Sequence, residues 1–149
     1  MTLKTGDRAP AIRLGAFDLS KLKGKRVVIF LYPKSDTPGC TKEACEFRDA
    51  SKKFTKLEAE IVGISPDKPE AQQKFATKYG LPYTFVPDTD HSIAEAYGVW
   101  KEKSMYGRKY MGIARTTFLI GPKGKIEKIF EKVKPVGHAA QVLEAISPA

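Results

Sequence analysis

At 149 residues the chain is long enough to bury a core without disulfide staples, and its length suits a single domain spanning 1–149. A content of 42% hydrophobic and 29% charged residues is that of a globular protein, and no apolar run nears the roughly 18–20 residues of a membrane span. The net charge of +9 comes from scattered lysines and arginines, without a zinc-finger, RNP-type or basic-zipper pattern, so it reads as an enzyme's coat rather than a nucleic-acid surface. The start, "MTLKTGDRAP", lacks the apolar stretch of a secretory signal. A cytoplasmic location follows as the expectation, and there a cysteine pair is catalytic or metal-binding more often than structural.

Taken in chain order, Val27–Tyr32, "VVIFLY", is a β-branched and aromatic run closed by Pro33, and it predicts a strand buried on both faces. A polar turn, "PKSDTPG", leads into a predicted helix with Ala44, Phe47, Phe54 and Leu57 on its apolar face. "IVGIS", 61–65, predicts a second buried strand. "PEAQQKFATKYG" predicts a helix with Pro69 at its start and Gly80 past its end. A short strand at 83–88 and a short helix at 91–98 follow, and 101–112, polar and glycine-punctuated, reads as an exposed loop. "RTTFLIG" and "KIEKIFEKV" form a strand pair across "GPKGK", and the last helix carries Ala139, Val142, Leu143 and Ile146 on one side. Strands alternate with helices and then a hairpin precedes a terminal helix. The order predicts one α/β sheet with a parallel and an antiparallel half.

The two cysteines of the chain, Cys40 and Cys45, lie at the mouth of the first helix. Thr37 suits an N-cap, Pro38 the first helical position, and Gly39 leaves the backbone uncrowded. Cys40 then falls in the first turn, where unpaired amides and the positive end of the helix dipole favour a thiolate. A merely buried cysteine fits poorly between Gly39 and the polar Thr41, Lys42 and Glu43. In an intact helix, residues five apart have Cα atoms about 8.7 Å apart, beyond the roughly 7 Å that a disulfide allows. Either the two thiols never bond or the first turns unwind when they do.

Zinc would need about four ligands, and only His91 and His138 could join the cysteines, neither at a ligand-like spacing. A thioredoxin-type dithiol would be spaced C-x-x-C. Arg115 opens a strong apolar strand, a place where an arginine more often points to water. A guanidinium beside Cys40 would instead stabilise a thiolate and hold a polar oxygen substrate. Spacing alone does not put it there.

The pattern Pro33-x-x-x-Thr37-x-x-Cys40 resembles the active-site motif of the peroxiredoxins. With a second cysteine inside "TPGCTKEACEFRD", the chain resembles the PrxQ branch, also called bacterioferritin comigratory protein. The resemblance runs through "GDRAPAIRL", "LKGKRVVIFLYPK" and "ARTTFLIGPKGKI" and covers essentially the whole chain. It implies a thioredoxin-like fold, a central mixed sheet flanked by helices. It also implies a peroxidatic Cys40 that becomes a sulfenic acid and a resolving Cys45 that closes an intramolecular disulfide. Thr37 and Arg115 would hold the reacting oxygen and the sulfur, and Pro33 would shape and shield the pocket. A hydroperoxide would be the substrate, a thioredoxin-like dithiol the reductant, and a monomer the working form.

No metal, flavin or nicotinamide motif accompanies the site, so no cofactor is expected and electrons would come from an external thiol. Two other classes of function fit parts of the sequence. One is a thiol–disulfide exchanger without peroxide chemistry, disfavoured by the cysteine gap and Thr37. The other is a basic binding protein with incidental cysteines.

Overall fold

A computed structural model describes residues 3–146; residues 1–2 and 147–149, the ends of the expected 1–149 unit, lie outside the described residues. Its centre is a five-stranded sheet. Strand β3 (Arg26–Leu31) follows two short strands, β1 (Arg13–Leu14) and β2 (Phe17–Asp18), that pair with each other. Then come α1 (Pro38–Lys56), β4 (Ala59–Ser65), α2 (Pro69–Tyr79), β5 (Thr84–Pro87) and α3 (Ser92–Ala96). A hairpin of β6 (Trp100–Met105) and β7 (Arg108–Ile113) precedes β8 (Thr116–Ile120), β9 (Ile126–Phe130) and α4 (His138–Ile146).

The sheet order is β5-β4-β3-β8-β9. Strands β3, β4 and β5 run parallel, while β8 and β9 are antiparallel to their neighbours, so the two halves meet at β3. Because a strand's side chains alternate, β3 feeds two cores at once. Val27, Ile29 and Leu31 join Ile12, Ile93, Tyr97 and Phe118 on one face. Val28, Phe30 and Tyr32 join Phe47, Phe54, Phe75 and Val142 on the other, under α1, α2 and α4. The double burial explains the unbroken apolar run in the sequence. Phe47 and Phe54 are fully buried from α1, and each contributes on the order of 2–3 kcal/mol of transfer free energy.

Helix ends follow the predicted signals. Pro69 opens α2, and Gly80 closes it at φ 60°, a left-handed conformation that glycine adopts without strain.

The segment 101–112 departs from the expected loop. Lys101 pairs with Gly112, Lys103 with Tyr110, and Met105 with Arg108, an antiparallel ribbon closed by Tyr106 and Gly107 at φ 53° and 76°. Both central residues at positive φ make the tight turn that matches strand twist. The sequence hides this because much of the ribbon lies in solvent on both faces, leaving no apolar alternation to read. The β1–β2 pair and a 3-10 turn at Leu19–Leu22 are further elements that the pattern does not predict.

Candidate active site

Strand β3 ends at the turn that presents Cys40. Tyr32 is fully buried, and its hydroxyl lies 2.9 Å from Ser35 Oγ. The Ser35 amide donates to Asp67 Oδ2 at 2.8 Å, tying the turn to the end of β4. Asp36, at φ 62°, accepts from Lys78 Nζ at 2.9 Å and Tyr79 Oη at 2.8 Å, tying it to α2. Pro33 is half-buried at the start of this turn.

Thr37 occupies the N-cap position with extended backbone, and Pro38 follows at the first helical position, both as predicted. The Thr37 side chain, however, makes no capping bond. Its hydroxyl donates to Lys34 O at 2.7 Å, closing the turn behind it. The Gly39 and Cys40 amides therefore receive no cap from Thr37. That leaves the positive end of α1 to other groups.

Cys40 is 1% exposed and sits in the aromatic core under α1. Cys40 is buried although its neighbours in sequence are polar, and Glu43, buried at 1% as well, brings polar company inside. Arg115 supplies the link. Its Nη2 donates to Cys40 Sγ at 3.2 Å and its Nη1 donates to Glu43 Oε1 at 2.7 Å. The guanidinium fork thus holds the sulfur with one arm and a carboxylate with the other. An arginine opening an apolar strand ordinarily faces water, but this side chain is 18% exposed and turned inward.

Gly39 is what lets Arg115 come so close. A Cβ built there would lie 3.3 Å from Arg115 Nη2 and 3.5 Å from Pro135 Cγ. Burial raises the Glu43 carboxyl to about 7, with the Arg115 charge and hydrogen bond pulling the other way. Its Oε2 has no partner among the described residues. Burial opposes the Arg115 charge too, but Glu43 and Cys40 outweigh it and hold the guanidinium above its ordinary value.

Cys45 lies half-buried in the same helix, and no disulfide joins it to Cys40. One residue earlier, Ala44 O accepts from Tyr83 Oη at 2.6 Å. Next to Cys45, Glu46 Oε1 accepts from the Gly137 amide at 2.8 Å, and about one turn further Arg48 Nη1 donates to Tyr79 O at 2.7 Å. The two histidines are elsewhere. His138 is buried, with Nε2 2.7 Å from Thr117 Oγ1, and His91 stacks on Trp100 at 4.0 Å between ring centroids.

The structure thus brings Cys40, Arg115 and the Thr37 turn to one helix entry. Sequence reasoning missed Glu43, although its place three residues after Cys40 puts it on the same helix face. The anchoring Tyr83 gave no local signal.

This geometry agrees with what the chain is similar to. The family model described as AhpC/TSA family matches residues 5–129. The chain belongs to the AhpC/TSA family. Within it, the chain is 44% identical to peroxiredoxin Bcp of Bacillus subtilis, over 98% of this chain and 96% of that one. It is also 44% identical to peroxiredoxin Bcp of Escherichia coli, over 95% of this chain and 94% of that one. Among solved structures, a Xylella fastidiosa PrxQ variant superposes with a TM-score of 0.89 at 31% identity, covering 98% of this chain and 96% of that one. The family's thioredoxin-like fold is therefore the fold seen here, with the peroxiredoxin motif at the end of β3.

Proposed function

We propose that the chain reduces hydroperoxides through a Cys40 thiolate and is recycled through Cys45 by a thioredoxin-like dithiol. The observation that carries this reading is the Arg115 Nη2 contact to Cys40 Sγ at the uncapped entry of α1. A cationic donor at 3.2 Å favours a sulfur that carries negative charge, and its fork suits the oxygens of a peroxide. Alkyl peroxide reduction activity is described for the bacterioferritin comigratory protein of Xanthomonas campestris, to which this chain is 39% identical with a TM-score of 0.83.

In the first step the Cys40 thiolate attacks the terminal oxygen of the hydroperoxide. The O–O bond breaks, the sulfur becomes a sulfenic acid, and the departing alkoxide or hydroxide takes a proton from water. Arg115 faces the charge as it moves from sulfur to oxygen. The Thr37 hydroxyl donates its proton to Lys34 O, so its lone pairs are left to accept from the peroxide O–H. Pro33, half-buried at the turn, walls the pocket.

In the second step the first turns of α1 unwind and the Cys45 thiol attacks the sulfenic sulfur, releasing water and forming the disulfide. Two thiols of the external reductant then restore both cysteines by exchange. The two cysteines lie on one helix, so a monomer suffices, and the two cores that share one sheet support reading 1–149 as one domain. Among the described residues no helix is long and apolar enough to cross a membrane. We place the protein in the cytoplasm, where reduced dithiols are available.

The test is stopped-flow reaction of the reduced protein with a slight excess of hydrogen peroxide, followed by turnover with a thioredoxin system. Wild type is expected to lose its thiol far faster than free cysteine at the same pH. Cys40→Ser is expected to abolish turnover, lowering it by at least about 10³-fold. Cys45→Ser is expected to keep the first oxidation and stall recycling. Thiol loss no faster than for free cysteine would leave a thiol–disulfide exchanger as the better reading.

A further inference from the structure

The hairpin of β6 and β7 is where the molecule leaves apolar surface uncovered. Among the described residues six large hydrophobic side chains are exposed, and four of them, Met105, Tyr106, Tyr110 and Met111, crowd into positions 105–111. Tyr106, in the turn, is 99% exposed, and Met105 beside it is 55% exposed. Single exposed apolar residues are ordinary, but a cluster at one tip is not. The ribbon pairs with no strand of the five-stranded sheet, and every residue from Ser104 to Met111 is exposed. Its base is fixed: Ile113 is buried, Trp100 stacks on His91, and the Ala114 amide donates to Val99 O at 2.8 Å.

Cross-strand partners share a face, so the register sorts the side chains. One face carries Lys101, Lys103, Met105, Arg108 and Tyr110, three cations with two apolar side chains and no carboxylate. A Cβ built on Gly112 would meet Lys103 Cδ and a Tyr110 ring carbon at 3.4 Å each, so the lysine stem and the ring lie side by side over the glycine. The other face carries Glu102, Ser104, Lys109 and Met111. Glu102, the one carboxylate of the two strands, lies 3.9 Å from Lys109 Nζ. The tip is thus apolar, and the band behind it is basic.

We propose that this hairpin docks the protein reversibly onto the surface of an anionic lipid bilayer, with Tyr106 and Met105 dipping into the interface. Such docking does not depend on the peroxidase chemistry. Interfacial segments settle about 5–10 Å deep, and a strand rises about 3.4 Å per residue. That depth takes in the turn and the Met105–Arg108 and Ser104–Lys109 pairs, bringing Arg108 and Lys109 to the level of the lipid phosphates. Tyr110 and Lys101 follow, a tyrosine at the headgroups and a cation where the negative surface potential still reaches.

The shape favours a bilayer over a protein or a nucleic acid. Taking large side chains as roughly 150–250 Å², the four apolar groups expose on the order of 500 Å², split over two faces and a turn. A standard protein interface takes about 800 Å² from each partner in one complementary patch. A fluid phase, by contrast, closes around a convex tip from both sides. Methionine offers nothing to a phosphate backbone, whereas nucleic-acid surfaces combine cations with stacking aromatics alone.

The experiment is co-sedimentation of the full chain with vesicles of phosphatidylcholine alone and of equal parts phosphatidylcholine and phosphatidylglycerol, at low and at physiological salt. Binding is expected with the anionic vesicles only, and it should weaken as salt rises. A cation near the surface is worth about fivefold in partitioning, so Arg108→Gln/Lys109→Gln should bind ~25-fold more weakly. Met105→Ser/Tyr106→Ser keeps every charge and should bind about tenfold more weakly, because the inserted apolar area is gone. Tyr106→Trp needs no loss of binding to be read. Its emission should move to the blue, and acrylamide should quench it less, when anionic vesicles are added.

No sedimentation of wild type with anionic vesicles would overturn the proposal. So would wild-type binding by Met105→Ser/Tyr106→Ser together with an unshifted Tyr106→Trp emission, which is how a general basic coat behaves. Tip-dependent retention of a single-stranded oligonucleotide, or a tip-dependent dimer in sedimentation velocity, without vesicle binding, would give the surface to another partner and overturn it too.

Discussion

The first turns of α1, residues 38–43, are fastened by a polar clasp in which Arg115 grips both Cys40 and Glu43. The remainder, 44–56, is fastened by Phe47 and Phe54 in an aromatic core and by Tyr83, Arg48 and Glu46 at its flank. Packing of the second kind is indifferent to redox state. The clasp is not, since one of its two arms holds the sulfur that we propose reacts. If Cys40 is oxidised as proposed, the negative charge that Arg115 faces is lost and Glu43 is the clasp's remaining charged arm. Unwinding is then expected to start at Pro38 and to stop where Tyr83 and Phe47 take over. Cys45 sits at that border. The difference between the two halves of one helix is what would let a fixed pair of thiols act at separate times.

Breaking the clasp gives the largest expected effect. Arg115→Met removes the donor to sulfur and to the peroxide, and single-turnover oxidation of Cys40 is expected to slow by about 10²–10³-fold. A loss under threefold would mean that the helix entry alone activates the thiol.

Glu43→Gln sharpens the same half through pH. The buried carboxyl is raised to about 7 from an ordinary 4.5, so the folded protein holds this proton over a range in which the unfolded chain has released it. The stability it contributes is full below about 4.5 and is lost as pH rises through about 7. The span corresponds to about 3 kcal/mol, and the glutamine variant should lack that slope. Urea unfolding of both proteins at the two ends of this range tests it. Parallel slopes would show that Glu43 stays ionised throughout.

The smallest effect tests the border. Tyr83→Phe loses one hydrogen bond to Ala44 O, a change of about 1 kcal/mol. In the disulfide form, amides around 44–48 should then exchange about fivefold faster, at fixed pH, than in wild type. An unchanged exchange pattern would place the stop at Phe47 instead.

The helices around the site were legible because their signals are local. Pro38, Pro69 and Gly80 each fix a helix boundary through their own backbone preference, and the alternate faces of β3 both read as apolar because both are buried. The hairpin 100–113 was not legible, since its strands satisfy each other's backbone while most of its side chains stay in water. The Thr37 side chain differs from expectation for a related reason. The hydroxyl is turned to donate to Lys34 O and makes no bond to the first-turn amides, and sequence does not say which of these groups lies within reach.

What the sequence by itself determined is the placing of a cysteine at a helix entry and of its partner five residues on, because helix start and spacing depend on neighbours within a few positions. Only the tertiary structure decided what surrounds that sulfur. Arg115 meets Cys40 across 75 positions and Glu43 across 72, and it does so because β8 lies beside β3, with Thr116 opposite Leu31. Contacts of that range are fixed by strand order and register, which the residues on either side of Arg115 do not encode.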